Sequence, residues 1–96
     1  MIGHVVMWKV RPEHRSTGLP EMKQRLESLK QEISEIQSIE VGINVLNSDA
    51  AYDIVLVSTF KSIDDLLAYQ KHKAHIRVVE FIRTISLDRK VVDYEK

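Results

Sequence analysis

An α+β fold with the element order β-α-β-β-α-β is what this sequence predicts, and three observations carry it. Residues 2–10 and 52–60 are rich in β-branched and aromatic side chains and are apolar on both faces, as strands in the middle of a sheet must be. Leu19, Met22, Leu26, Leu29, Ile33 and Ile36 recur at steps of three and four, which places them on one stripe of a helix. Residues 39–46 alternate apolar and polar, the pattern of a strand buried on one side only.

Taken in order, the first strand carries Ile2, His4, Val6, Trp8 and Val10 on one face and Gly3, Val5, Met7 and Lys9 on the other. Arg11-Pro12-Glu13 ends it. The helix predicted from Leu19 to Ile36 has Pro20 in its first turn, where a missing N–H costs little, and a solvated face of Glu, Lys, Gln, Arg and Ser. In the second strand Ile39, Val41, Ile43 and Val45 face one way, and Glu40, Gly42 and Asn44 the other. Asn47-Ser48-Asp49-Ala50 has the composition of a turn. The third strand puts Tyr52, Ile54, Leu56 and Phe60 on one side and Val55 and Val57 on the other. Ser62 caps the next helix, Asp64 and Asp65 suit its first turn, and Ile63, Leu66 and Leu67 form its apolar face. The polar run Gln70-Lys71-His72-Lys73 predicts a bend. A further helical stretch from Ala74 to Thr84 turns Val78, Val79, Ile82 and Ile85 inward, and a last strand from Ser86 to Tyr94 has Leu87, Val91 and Val92 as its apolar members.

Two crossover helices and one hairpin in this order describe a ferredoxin-like arrangement, a four-stranded antiparallel sheet with the first and third strands central. Those are the two strands that are apolar on both faces. Helices can cover only one face of such a sheet. The other presents Val5, Met7, Val55 and Val57, a contiguous apolar patch that a monomer rarely exposes. A second copy laid sheet to sheet buries it, so the expected partner is an identical chain in an isologous homodimer.

Composition narrows the function. Ninety-six residues suit a single domain, 1–96. The absence of cysteine excludes a disulfide framework, a thiolate-ligated metal and a thiol nucleophile. Fourteen basic side chains balance fourteen acidic ones, which weighs against nucleic acid as a partner. No signal peptide and no stretch of about 20 apolar residues is visible, so no membrane association and a cytoplasmic location are expected. There is no phosphate-binding glycine loop.

The residues also resemble a known family. His4-Val5-Val6-Met7-Trp8-Lys9, Gly42-Ile43-Asn44, Tyr52-Asp53-Ile54, Phe60, the segment from Leu67 to His75 and the closing Val92-Asp93-Tyr94 are similar to the stress-responsive dimeric α+β barrel (Dabb) proteins. They follow that pattern in order along nearly the whole chain. One departure is Lys73, where the family commonly has proline. The resemblance implies a homodimer whose two sheets form a barrel. It implies a stress-response-type protein that binds a small apolar or carbonyl ligand. The alternative it implies is a cofactor-free polyketide cyclase or lyase using a Tyr/His pair, here Tyr69 and His75 with His4 assisting, or a related small monooxygenase.

The chemistry of such a pair is simple. A neutral histidine takes a proton near pH 7 and a tyrosine hydroxyl holds a carbonyl oxygen, so together they can enolise a carbonyl compound without a nucleophile or redox cofactor. Tyr69, His72 and His75 are spaced by three, close enough to meet on one helix. The expected pocket walls are Val6, Trp8, Met22, Leu26, His72, Val78 and Val79. His72 and His75 alone do not make a metal site, since zinc needs a third ligand, and neither metal nor cofactor is expected. The competing reading makes these same residues structural hydrogen-bonders around the bend, with Trp8 filling the space. A cavity reached by Tyr69 and His75 decides between the two.

Overall fold

The computed structural model describes residues 1–96. Strand β1 (Ile2–Val10) leads through a short 3₁₀ turn (Pro12–His14) into α1 (Arg15–Glu32). Strands β2 (Ser38–Ile43) and β3 (Ile54–Phe60) follow, then α2 (Ile63–Lys71), α3 (Lys73–Ile85) and β4 (Ser86–Glu95). Every strand pair is antiparallel and the sheet order is β2-β3-β1-β4. This is the ferredoxin-like arrangement, with the two double-sided strands at its centre. No helix is long and apolar enough to cross a membrane.

Strand register sorts the side chains into rungs, because successive residues point to opposite faces. Toward the helices, Ile39, Ser58, His4 and Asp93 stand abreast, then Val41, Leu56, Val6 and Val91, then Ile43, Ile54, Trp8 and Arg89. The helices close over this side. Met22, Leu26 and Leu29 of α1, Leu66 and Tyr69 of α2, and Val78 and Ile82 of α3 pack on Val6, Leu56 and Phe60 in one core.

On the outer side the rungs are Ser38-Thr59-Gly3-Tyr94, Glu40-Val57-Val5-Val92 and Gly42-Val55-Met7-Lys90. Nothing within the chain covers the second and third of these. Met7 is 38% exposed, Val57 37% and Val92 61%. In the first rung the Tyr94 ring lies across Gly3, where an added β-carbon would come within 2.6 Å of ring carbons. Glycine there needs no unusual backbone; it supplies the floor on which the ring lies. Gly3→Val is therefore expected to displace the ring and destabilise the fold by about 1–3 kcal/mol, the scale of overpacking. Thermal unfolding measures this, and an unchanged midpoint would show the ring free to leave.

Several boundaries differ from the sequence reading. Helix α1 begins at Arg15, so Pro20 is its sixth residue and not in its first turn. The N–H that proline lacks would have faced the Ser16 carbonyl, which lies on an exposed first turn open to water. The same helix stops at Glu32. Ile33 is extended (φ −121°, ψ 104°), yet Ile33 and Ile36 are both buried. The apolar stripe overshoots the helix because the turn after it feeds side chains into the same core.

Strand β2 ends at Ile43, and Val45 is 98% exposed. The Asn44 N–H donates to the Asp53 carbonyl at 2.9 Å, and past that point the alternation has no neighbouring strand to pair with. Tyr52 precedes β3 and does not face the helices. Its ring lies under the Lys9 ammonium, 4.9 Å from the centroid, and its hydroxyl donates to Asp88 Oδ2 at 2.5 Å. Ile63 and Leu67 are exposed, and the inward face of α2 is Leu66 and Tyr69. Leu87, Val91 and Val92 are exposed too, because β4 is an edge strand that the helices leave uncovered.

Candidate functional site

The break between α2 and α3 builds the site. His72 ends one helix and starts the next. It is extended (φ −66°, ψ 140°), and its Nδ1 accepts the Ala74 N–H at 3.0 Å. On an unbroken helix Tyr69 and His75 would point about 120° apart. The bend instead brings their rings together, with centroids 4.4 Å apart at an interplanar angle of 52°. His4 arrives from β1, its ring centroid 6.1 Å from that of Tyr69 and 6.3 Å from that of Phe60, edge-on to both.

Each of these groups is held in a defined state. His75 Nδ1–H donates to the Gln70 carbonyl at 3.1 Å, which leaves the Nε2 lone pair free. Burial lowers the pKa of His75. The Gln70 hydrogen bond opposes this, and the charges of His4, Arg89 and His72 add to the lowering. The imidazole is thus the neutral form at pH 7. Tyr69 is 1% exposed and its hydroxyl has no hydrogen-bond partner in the chain. Burial raises its pKa well above the usual tyrosine value, against a smaller pull downward from Arg89, so it stays a proton donor. His4 is bonded through Nδ1 to the Asp93 carboxylate on the same rung. A carboxylate only accepts, so Nδ1 carries the hydrogen. The Ser58 hydroxyl donates to the His4 carbonyl at 3.1 Å, tying that rung together across β1 and β3.

Around these groups is a cavity of about 320 Å³. His4, Val6, Trp8, Leu26, Tyr69, His75, Val78 and Val79 line it, all of them residues singled out from the sequence. Trp8 forms a wall and does not fill the space. Two expected wall residues are absent from the lining. Met22 is wholly buried in the core, and His72 is spent on capping α3. The spacing of three through Tyr69, His72 and His75 therefore does not describe the site, because His72 sits at the break in the helix.

Other lining residues escaped the sequence reading: Leu56, Gln70, Ile82, Arg83, Ser86 and Arg89. So did Asp93 as the partner of His4. The signal for Arg89 and Asp93 lay in the pairing of β4 with β1, which sets them opposite Trp8 and His4. A register irregularity between Lys9 and Val10 meant that counting back from the first residue of β4 would have misplaced them.

Known proteins share this framework. A stress-response A/B barrel domain-containing protein of Arabidopsis thaliana is 30% identical over 96 residues, which is 98% of this chain and 36% of that protein. The chain thus spans little more than a third of that relative's length. The crystal structure of a dimeric protein of unknown function with a ferredoxin-like fold from Bacteroides fragilis is 31% identical. It matches with a TM-score of 0.89 over 99% of this chain and 95% of that one. The hydroxynitrile lyase of Passiflora edulis shares the fold at 13% identity, with a TM-score of 0.85 over 97% of this chain and 90% of that one. The family model described as Stress responsive A/B Barrel Domain matches residues 2–96. With sheet, helices and family pattern in agreement from the first strand to the last, the chain belongs to the stress responsive A/B barrel domain family.

Proposed function

We propose that this chain works as a homodimer whose paired sheets form a barrel, and that the cavity of each chain binds a small carbonyl compound and moves a proton on it. One observation carries the chemical part: the buried Tyr69 hydroxyl has no partner in the chain, and Tyr69 is one of the residues lining the cavity. A structural tyrosine so buried is normally hydrogen-bonded, since leaving a buried donor unpaired costs about 1–3 kcal/mol. A ligand carbonyl oxygen is the acceptor that the site lacks. The dimer rests on the uncovered outer rungs and on the dimeric relative from Bacteroides fragilis.

The chemistry follows from the states of the two rings. The ligand carbonyl accepts the Tyr69 O–H. His75 Nε2 removes a proton from the adjacent carbon, and the C–H electron pair becomes the C=C of an enolate whose oxygen keeps the Tyr69 hydrogen bond. The imidazolium then returns its proton to that carbon, or to an alkoxide formed when the enolate adds to a second carbonyl. Each half-step is general acid–base catalysis by a group whose pKa its surroundings have moved. The fold is compatible with lyase chemistry, as the Passiflora edulis enzyme illustrates.

Hydrogen exchange at the methyl group of acetophenone in D₂O, followed by NMR, tests this without knowledge of the natural substrate. Exchange faster than in buffer is the expected result. Binding of acetophenone without any exchange would reduce the site to a ligand carrier, and neither binding nor exchange would overturn the reading.

A further inference from the structure

The Tyr69–His75 reading says where a carbonyl sits but not what else the ligand carries. The rim of the cavity answers that. Arg83 of α3 and Arg89 of β4 both line it, both are exposed at its mouth, and neither takes part in an ion pair. No carboxylate is among the lining residues. The nearest acid on the same face of β4 is Asp93, four residues on. That is ~13 Å along the strand, and its carboxylate is engaged by His4. The remaining walls are mostly apolar. Two unpaired guanidinium groups thus stand beside a low-dielectric space, where a charge-assisted bond is worth more than in water.

From this we infer that the ligand is a keto acid: an apolar body inside the cavity, a ketone at Tyr69 and a carboxylate at the rim, bound by Arg89 with Arg83 beside it. Arg89 is opposite Trp8 across β1 and β4, and the Tyr69 ring stands edge-on to that of His4, four residues before Trp8 on the same face of β1. A ligand that reaches both groups therefore lies along the strand over Val6. The cavity volume suits a compound of about a dozen heavy atoms, smaller than a drug-sized ligand. A planar guanidinium recognises a carboxylate through two parallel N–H···O bonds, which an ester cannot accept with the same charge assistance. This inference rests on the carbonyl reading for one end of the ligand and is independent of it at the other.

The chain has one tryptophan, Trp8, and it is a cavity wall, so its fluorescence reports occupancy directly. The probes are 4-oxo-4-phenylbutanoate and its methyl ester, which differ only in the charged end. The acid is expected to bind about ten- to hundredfold more tightly than the ester, the range for a hydrogen bond to a charged group. Arg89→Met should erase that preference by weakening the acid far more than the ester, and Arg89→Lys should retain part of it. Tyr69→Phe should weaken acid and ester alike. Equal affinity for the two probes overturns the inference. So does a preference that survives in the Arg83→Met/Arg89→Met double variant, or no saturable binding of either probe at millimolar concentration. If the acid preference holds but Tyr69→Phe changes nothing, the anion site stands and the carbonyl reading falls. If acid and ester bind equally and Tyr69→Phe weakens both, the carbonyl reading stands and the anion site falls.

Discussion

Val57→Glu is expected to convert the protein from a dimer into a monomer or into insoluble material. Val57 lies at the middle of the outer sheet face, between Glu40 on β2 and Val5 on β1, with Val92 beyond. In the proposed sheet-to-sheet dimer that position would be covered by the partner's equivalent face, so a carboxylate there would be buried without a counterion. That costs several kcal/mol, enough to dissolve an interface whose centre is apolar. Glutamate at this site also stands directly opposite Glu40, and like charges facing each other across strands weaken the sheet itself. Val57→Lys removes that ambiguity, because lysine pairs with Glu40 within the chain yet still brings a charge to the interface. Light scattering should give twice the chain mass for the wild type and the single-chain mass for Val57→Lys with its fold intact by circular dichroism. A wild type at 11.1 kDa at micromolar concentration would sink the dimer, and a Val57→Lys dimer would move it to another face.

How far these features could be read from the sequence depends on the range of the interactions behind them. The central strands declared themselves, since Val5 and Val57 repeat on the face opposite to Val6 and Leu56, a composition that suits the middle of a sheet. The α1 stripe was legible for the same local reason, although it ran on through Ile33 and Ile36. Periodicity reports burial, and those two residues are buried from a turn. Tyr69, His75 and His4 were singled out through the family pattern, and the candidate pocket walls on β1 and α3 through the faces of their elements. Met22 and His72 failed because face alone does not say how far along the core a void extends, or that a histidine will cap a helix through its own ring. Arg89 and Asp93 depend on cross-strand register between residues more than eighty apart in sequence, and nothing local encodes it. The orphaned Tyr69 hydroxyl is further still from the sequence, being defined by what every neighbouring element does not provide.

Tyr69→Phe and His75→Ala are each expected to lower catalysed proton exchange by about 10²–10⁴-fold, the usual contribution of a positioned acid or base. Phenylalanine keeps the ring against Phe60 and His75, whose centroids lie 4.9 and 4.4 Å away, and removes only the hydroxyl. Because that hydroxyl has no partner in the chain, the variant should fold at least as stably as the wild type, since an unsatisfied buried donor is lost. Stability unchanged or raised with activity lost is a combination that a structural tyrosine cannot produce. The pH profile adds a second readout. His75 must be neutral to accept a proton, and burial, together with the charges of His4, Arg89 and His72, holds its pKa below the ordinary 6.5. Activity should therefore rise with pH along a limb centred below 6.5. Tyr69 is held above its ordinary 10.0, so no loss of its proton cuts the rate before that point. The same shift affects folding with a definite sign. Between the folded and unfolded pKa values of His75 the unfolded chain binds more protons, so its contribution to stability falls as pH drops below 6.5. His75→Ala should flatten that part of the stability profile as well as abolish exchange. Retained exchange in both variants, or an activity limb centred above 6.5, would remove the pair from the chemistry.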